Sequence, residues 1–363
     1  MKILICRITD EGVIERSSNL ISSLIRLGNE VIVATPRESK FKKIIEMGCK
    51  HIEVRIQGHG MNPVRDMSVY KQYYKILKNE KPDISLLYTT KPNIYCGLAC
   101  KMLHIPVIMN ITGLGTALGN EGILQKLMIV LYKLSCSGSN MKTIFFQNEG
   151  SMDFFARYKI GNSKIYQRIP GSGVDLELFP LQPFPKSNTI NILFIARVMK
   201  EKGIDQFLEA AREIRKRHSD VLFHVLGECD NSYKDLITEE CDKGNIIYHG
   251  KVNNVQDYYK MAQCTVQPSF YPEGISNVIL EAAASGRPVV TTDHIGCREG
   301  VDDGETGFIV PIKNSSAVIH AIERFLELSY EERVEMGLRG RRKMEREFDQ
   351  KIIVNSYLKA IDM

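Results

Sequence analysis

The chain has 363 residues, of which 44% are hydrophobic and 25% are charged. This composition is that of an ordinary globular protein and excludes a disordered or low-complexity chain. The length predicts two domains of about 100–200 residues each.

The charge is distributed unevenly along the chain. Residues 1–185 carry 24 Lys and Arg against 15 Asp and Glu, a net charge of +9, whereas the remainder carries 24 against 28, a net charge of −4. A basic half indicates contact with nucleic acid, an anionic lipid surface or an anionic substrate, or else a solvated lysine-rich surface.

Cysteine usage predicts a reducing compartment. The nine cysteines form no C-x-x-C pair, their number is odd, and no signal peptide precedes the first strand. Cys96 and Cys100 have the spacing of half a zinc site without a second pair, so we interpret them as small buried hydrophobic residues rather than metal ligands. We therefore expect a cytoplasmic protein.

In chain order, the first half alternates strand patterns with apolar-periodic helices. After the first strand we expect a loop and then a helix with Leu20, Ile21 and Leu24 on its apolar face, and another helix from Asn93. The predicted strands are residues 2–8, 30–34, 84–88, 107–111 and 143–147.

Residues 122–135 (GILQKLMIVLYKLS) are strongly apolar, with Lys126 and Lys133 as their charged residues. The segment is shorter than the ~18 residues needed to cross a bilayer. Two interpretations remain open, a helix lying in a membrane surface with its lysines at the headgroups, and a buried core helix.

Residues 171–185 predict a linker, because prolines and glycines break every periodicity there. The strand pattern then restarts, with a helix over residues 204–217 and strands at residues 191–196, 221–226, 246–249, 264–268, 289–292 and 307–310. The fold class is therefore α/β, with two Rossmann-like βα domains facing across a cleft. We expect them at residues 1–183 and 184–348, with a helix over residues 349–363 packing back on the first.

The most specific pattern is PSFYPEGISNVILEAAASG, residues 268–286. Ser276 is predicted to cap a helix that begins at Asn277, and Gly274 allows a close approach to the backbone of the preceding turn. The first N–H groups of such a helix bind phosphate oxygens. Glu281 lies one turn inside the helix, and Glu273 precedes the turn.

A carboxylate on each side of a phosphate-binding turn suits a nucleotide sugar, with Glu281 accepting from ribose hydroxyls and Glu273 from hexose hydroxyls. Arg197, at the end of a strand, and Lys202, in the following loop, are placed to clamp a diphosphate and to neutralise charge on the leaving group. The predicted donor-binding residues are Gly274, Ile275, Ser276, Asn277, Val278, Glu281, Gly227 and Val252, beside Glu273, Arg197 and Lys202 as catalytic residues.

FIARVMKEKGID and PSFYPEGISNVILEAAASGRPVVTTDHIGCREGV resemble glycosyltransferase family 4, the retaining enzymes with the two-domain B-type fold. The resemblance implies that Glu273 and Glu281 are the family's paired glutamates and that Arg197 and Lys202 bind the donor diphosphate. It also implies transfer with retention of the anomeric configuration.

KPNIYCGLACKMLHIP and ITGLGTAL resemble a narrower group, bacterial transferases that extend sugars on polyprenyl-diphosphate carriers for capsule, O-antigen or glycan assembly. This resemblance implies a UDP-sugar donor, a lipid-linked saccharide acceptor and a peripheral position at the inner face of the cytoplasmic membrane, on an anionic surface. It implies Gly12, Lys91, Thr112 and Gly113 as acceptor and phosphate-loop residues. The sequence departs from the family pattern at two points. The loop after the first strand has a single glycine, Gly12, where many members have a glycine-rich loop, and Thr90 stands where many members have histidine.

No D-x-D motif occurs, so we predict a metal-independent reaction without a cofactor. Alternatives are a sugar-nucleotide epimerase or phosphorylase of the same fold, and a non-catalytic protein that binds anionic glycans. A dinucleotide oxidoreductase is disfavoured because G-x-G-x-x-G is missing after Ile8. The sequence has no basic stretch interleaved with aromatic residues, so we expect no nucleic-acid partner.

Overall fold

The computed structural model describes residues 1–56, 63–272 and 274–362, without the side chains of residues 63, 64, 116 and 117. The chain divides into two compact units. The first comprises Met1–Ser172 with Lys351–Met363, and the second comprises Gly173–Gln350. The division falls inside the predicted linker, and residues 173–183, which the sequence analysis grouped with the first domain, lie in the second unit.

The first unit is built on a parallel sheet of seven strands in the order β3-β2-β1-β4-β5-β6-β7. Its strands are β1 Lys2–Cys6, β2 Glu30–Thr35, β3 Lys50–Glu53, β4 Ile84–Tyr88, β5 Val107–Ile111, β6 Met141–Phe146 and β7 Tyr166–Arg168. Its helices are α1 Asp10–Arg26, α2 Phe41–Glu46, α3 Pro63–Glu80, α4 Gly97–Leu103, α5 Gly115–Gly119, α6 Ile123–Cys136 and α7 Glu149–Arg157.

The second unit holds a parallel sheet of six strands in the order β10-β9-β8-β11-β12-β13. Its strands are β8 Ile190–Ile195, β9 Val221–Leu226, β10 Ile247–Gly250, β11 Cys264–Gln267, β12 Val289–Thr292 and β13 Gly307–Val310. Its helices are α8 Ile204–Arg217, α9 Lys234–Asp242, α10 Val255–Met261, α11 Asn277–Ala284, α12 Ser315–Glu327 and α13 Tyr330–Lys343.

The last helix, α14 Gln350–Ile361, belongs almost entirely to the first unit. Ile353, Tyr357 and Ile361 are buried in a cluster with residues of β1, β2 and α1. The hydroxyl of Tyr357 donates a hydrogen bond to Oδ1 of the buried Asn110 on β5. The C-terminal helix therefore covers one face of the first sheet.

In both sheets the strand order reverses once, between β1 and β4 in the first and between β8 and β11 in the second. Strand order reverses where the crossovers leave on opposite faces, and the loops at the carboxyl ends of those two strands open a crevice that binds ligands. The central strands β4, β5 and β11 are wholly buried, which explains why their sequences are mostly apolar.

The loop expected after the first strand is shorter than predicted. Strand β1 ends at Cys6, and α1 already begins at Asp10 because the side chain of Thr9 caps it, with Oγ1 accepting from Gly12 N at 3.1 Å. The strands β3 and β7 were not predicted, since both are short and largely polar.

Candidate functional site

The predicted donor residues lie on the two loops that flank the reversal of strand order in the second unit. Arg197 follows β8 by two residues and is exposed, and Lys202 ends a 3₁₀ turn, Lys200–Lys202, in the same loop. Residues 274–276 lie between β11 and α11. Since β8 and β11 are hydrogen-bonded neighbours, both loops leave the same edge of the sheet.

Hydrogen bonds join these two loops directly. The carbonyl of Glu201 accepts from Phe270 N at 2.9 Å and from Ser269 Oγ at 3.3 Å. Lys202 Nζ lies 4.8 Å from the ring centroid of Tyr271, a cation–π contact. Lys202 is therefore held beside the segment that leads into the predicted phosphate-binding turn.

Two glycines allow close approaches at this edge of the sheet, Gly203 between the loops after β8 and β11 and Gly227 between the loops after β9 and β8. Gly203 has a φ of 81°, and a Cβ there would lie 2.1 Å from the carbonyl oxygen of Pro268. Gly227 has a φ of 136°, and a Cβ there would lie 1.8 Å from the carbonyl oxygen of Ala196. Gly227 was among the predicted residues and Gly203 was not, although a glycine directly before a predicted helix is a signal for positive φ.

The helix α11 begins at Asn277, as predicted, with Ser276 at the N-cap. The side chain of Ser276 makes no capping hydrogen bond, and its backbone N–H donates to Gly296 O at 2.7 Å. Gly274 and Ile275 are buried with it, whereas Val278 is half-buried. The side chain of Ser276 therefore does not cap α11, and the N-terminus of a helix is the end that attracts anions.

Glu281 is positioned by a buried tyrosine. The hydroxyl of Tyr259 donates to Glu281 Oε2 and to the carbonyl of Val278, both at 3.3 Å. Burial and the nearby Glu281 carboxylate raise the pKa of Tyr259 well above its usual value, so this hydroxyl stays protonated. Tyr259 was missed because it lies 22 residues away from Glu281 in the sequence.

The remaining donor residues border the same edge. Val252 follows β10 and packs, half-buried, against the apolar cluster of α10 and α11. Asp230 is a carboxylate that interacts with Arg197. The backbone N–H and hydroxyl of Ser232 hold the pKa of Asp230 below the usual value, and the Arg197 guanidinium also lowers that pKa. Glu273 lies outside the described residues.

In the first unit, the predicted acceptor residues follow the neighbouring strands β1, β4 and β5. Thr112 and Gly113 come directly after β5 and are half-buried, with a φ of 134° at Gly113. Gly12 lies in the first turn of α1 rather than in a loop. Lys91 Nζ forms an ion pair with Asp66 Oδ1 at 3.1 Å, and both side chains are largely buried, so the charge of Lys91 is already compensated.

Two further residues at this edge were not named from the sequence. Arg7 is buried, donates from Nε to Ser17 Oγ at 3.1 Å and stacks 3.9 Å from the ring centroid of Tyr88, and burial lowers its pKa. Thr89, directly after β4, has a φ of 68°, which is strained for a β-branched residue. Such strain is often found at binding sites, and no local sequence signal announces it.

Segment 122–135 lies almost entirely in α6, which has one buried and one exposed apolar face. The core interpretation applies to the first face, and membrane contact through the second stays a prediction. Met128, Ile129 and Tyr132 are buried in the core. The opposite face carries exposed apolar residues, which are Ile123, Leu124, Leu127, Val130 and Leu134. We call this second face the outer stripe of α6.

Within the ranges that the structure describes, no three His, Cys, Asp or Glu side chains lie together as metal ligands would. Cys96 and Cys100 are buried free thiols. Over the same residues, no helix combines the length and the apolarity that crossing a bilayer requires.

Two family models match the chain, one in each half. Residues 2–148 match a model described as glycosyl transferase 4-like, and residues 180–343 match glycosyl transferases group 1. The chain belongs to the glycosyltransferases. The enzyme class predicted from the sequence is confirmed.

Curated relatives agree with this membership. The chain is 27% identical over 361 residues to N,N'-diacetylbacillosaminyl-diphospho-undecaprenol alpha-1,3-N-acetylgalactosaminyltransferase of Campylobacter jejuni, covering 94% of this chain and 93% of the relative. It is 30% identical over 166 residues to the capsular polysaccharide biosynthesis glycosyltransferase CapM of Staphylococcus aureus, covering 44% of this glycosyltransferase and 42% of CapM.

Solved structures share the fold. A glycosyltransferase from Rickettsia africae superposes with a TM-score of 0.82 at 20% identity, over 99% of this chain and 97% of that one. Anabaena Alr3699/HepE, crystallised with UDP and glucose, superposes with a TM-score of 0.80 at 14% identity, over 100% of this chain and 99% of that one. The predicted fold class, two parallel-sheet Rossmann-like units, is confirmed.

Proposed function

We propose that this glycosyltransferase transfers a hexose or N-acetylhexosamine from a UDP-sugar to a saccharide carried on polyprenyl diphosphate, with retention of configuration. The observation that carries the donor part is that Lys202, Arg197 and the start of α11 lie on the two loops that flank one reversal of strand order. Two cations beside a helix N-terminus form a site for a diphosphate.

Each donor group has a role in this proposal. The N–H groups at the start of α11 and the cations of Arg197 and Lys202 stabilise the negative charge that grows on the departing diphosphate. Glu281, oriented by Tyr259, accepts from the ribose hydroxyls. Glu273 accepts from hydroxyls of the transferred sugar, a role that rests on the sequence pattern.

The reaction breaks the bond between the sugar C1 and the diphosphate oxygen and forms a bond between C1 and the acceptor oxygen on the same face. The acceptor hydroxyl gives its proton to the departing phosphate oxygen, so UDP leaves carrying that proton. Since the leaving group serves as the base, no separate side chain is required for this step.

The acceptor part of the proposal rests on three observations. The Campylobacter relative is named for an undecaprenyl-diphosphate-linked acceptor. Residues 1–185 carry a net charge of +9, which suits an anionic lipid carrier. The outer stripe of α6 exposes apolar side chains next to Lys126 and Lys133, as interfacial helices do. We therefore propose peripheral binding to an anionic membrane surface through α6.

A transfer assay tests the proposal. The full chain is incubated with UDP-glucose, UDP-galactose and their N-acetyl derivatives, with a polyprenyl-diphosphate-linked saccharide, and products are identified by mass spectrometry. We expect one added sugar from one preferred donor, in the presence of EDTA as well as without it. Isomerisation or phosphorolysis of the donor without an acceptor would contradict transfer, and loss of activity in EDTA that Mg²⁺ or Mn²⁺ restores would contradict the metal-independent reaction.

A further inference from the structure

Helices α3, α4 and α6 of the first unit line an open groove with a volume of about 530 Å³. Its wall is mostly apolar, with Met67 and Tyr70 from α3, Leu98 and Met102 from α4, and Leu127 and Leu131 from α6. This volume lies within the range of small-molecule binding sites, roughly 300–1,000 Å³.

The charged groups in the wall already have partners. Asp66 binds Lys91 at 3.1 Å and also the hydroxyl of Tyr95, whose pKa is raised by burial and by Asp66. At another part of the wall, Lys101 Nζ donates to Leu134 O at 3.2 Å and to Ser137 Oγ at 2.7 Å. The groove therefore offers hydrocarbon contact, which favours an apolar ligand over a sugar or a nucleotide.

The groove is continuous with the outer stripe of α6. Leu127 and Leu134 belong both to its wall and to the stripe, where they are 46% and 48% exposed. A lipid chain in a membrane that touches the stripe can enter the groove without crossing a polar surface. Lys126 and Lys133 are exposed on the same helix and complement anionic headgroups.

The other end of the groove lies near the predicted acceptor edge of the sheet. Tyr95 belongs to a π-helical turn, Pro92–Cys96, which follows β4 and leads into α4. Tyr95, Leu98 and Met102 have helical spacing and share one face over about 10 Å. The groove thus leads from the outer stripe of α6 toward the loop that contains Thr89 and Lys91.

We propose that this groove binds the isoprene units next to the diphosphate of the lipid-linked acceptor, while the rest of the chain stays in the membrane. The proposal rests on the proposed function for the identity of the acceptor. The apolar wall selects the isoprenoid chain, and its end near β4 places the diphosphate at the acceptor edge.

The chain contains no tryptophan, so a single introduced tryptophan reports on binding. Met102→Trp places it in the wall, where Met102 is 66% exposed, and Val130→Trp places a control on the outer stripe, where Val130 is 52% exposed. Each full-length variant is titrated with farnesyl diphosphate, dodecyl phosphate and inorganic diphosphate without vesicles, and circular dichroism checks folding.

We expect a saturable blue shift for Met102→Trp with farnesyl diphosphate, and none for Val130→Trp or with inorganic diphosphate. Leu131→Phe in the Met102→Trp background fills the groove and should weaken binding about tenfold or more, whereas Leu131→Ala should not. Equal responses of both tryptophans, or no response, would contradict binding of the isoprenoid in the groove. Equal affinities for farnesyl diphosphate and dodecyl phosphate would contradict selectivity for isoprenoids.

Transfer by the same variants separates this proposal from the proposed function. If the fluorescence of Met102→Trp does not respond to farnesyl diphosphate but the protein still transfers sugar to a lipid-linked saccharide, only the proposal for the groove is contradicted. If the wild-type chain transfers no sugar to any lipid-linked acceptor, the proposed function itself fails, even with a fluorescence response.

Discussion

At the scale of single residues, the carboxylate of Glu281 is a proposed donor-site group that a buried side chain orients. It accepts from the buried Tyr259 hydroxyl, which restricts the conformations that the carboxylate samples. A preorganised acceptor loses less entropy when it binds a ligand hydroxyl. A carboxylate can accept more than one hydrogen bond, and in the proposed function Glu281 also accepts from the ribose.

Glu281→Gln should weaken the binding of UDP itself, because the ribose is present in donor and product alike. Glutamine removes the charge and replaces one acceptor oxygen by an NH₂ donor. Loss of one charge-assisted hydrogen bond costs about 1.5–3 kcal/mol, roughly 10- to 100-fold in affinity. Calorimetric titration with UDP measures the change, and Glu209→Gln on the exposed part of α8 is the matched control. A folded Glu281→Gln variant with wild-type UDP affinity would contradict the ribose role.

At the scale of elements, the loop after β8 depends on a glycine at Gly203. Gly203→Ala forces a Cβ against the Pro268 carbonyl in a backbone conformation that already costs non-glycine residues about 1–2 kcal/mol. Gly244→Ala is the matched control, since Gly244 also has a positive φ of 70° but no atom within 4 Å of its ideal Cβ.

We expect Gly203→Ala to lower the melting temperature more than Gly244→Ala does, by about 2–4 °C for each additional kcal/mol. It should also reduce transfer, because it separates Lys202 from the segment after β11. Differential scanning calorimetry and the transfer assay measure both effects. Equal melting temperatures for the two variants would show that the loops are not packed as described.

The helix α6 gives a prediction about membrane association. The double substitution Ile123→Glu/Val130→Glu places two carboxylates on the outer stripe, away from the groove wall. It should abolish co-sedimentation with anionic vesicles at low salt. The control Leu27→Glu lies on the opposite face of the sheet and should leave co-sedimentation unchanged. Each surface lysine near anionic lipid contributes about 1 kcal/mol, so high salt should weaken binding as well. Wild-type protein that stays in the supernatant would contradict the membrane proposal.

Particular elements show how far the sequence predicts the fold. The strands over residues 107–111, 221–226, 289–292 and 307–310 and the helix over residues 204–217 agree with the structure residue for residue, because buried parallel strands are continuous apolar runs between turn residues. The strand β3 was missed because its exposed and half-buried residues lack that pattern.

The site was less predictable, because its geometry depends on contacts between distant segments. The start of α11 could be read from GISN, whereas the bond between Ser276 N and Gly296 O depends on a loop far along the chain. Likewise, the pairing of Lys91 with Asp66 and of Glu281 with Tyr259 has no local signal. For α6, one helix can bury an apolar face and expose another, which periodicity alone does not reveal.

At the scale of the whole molecule, two units of similar architecture place different side chains at the reversal of strand order. The reversal of strand order in the second sheet presents cations and a helix N-terminus, and that in the first presents the compensated Lys91, the buried Arg7 and the strained Thr89. In the proposed function, the second unit stabilises the departing diphosphate and the first unit selects the acceptor.

The most direct test of this account measures kcat/KM for sugar transfer in Lys202→Ala and Arg197→Ala. Each variant should lose about 10²-fold or more, as expected when a preorganised charge beside a leaving group is removed. Lys216→Ala, on the exposed surface of α8, should match the wild type. Folded Lys202→Ala and Arg197→Ala variants that both retain wild-type kcat/KM would contradict a donor site between β8 and β11.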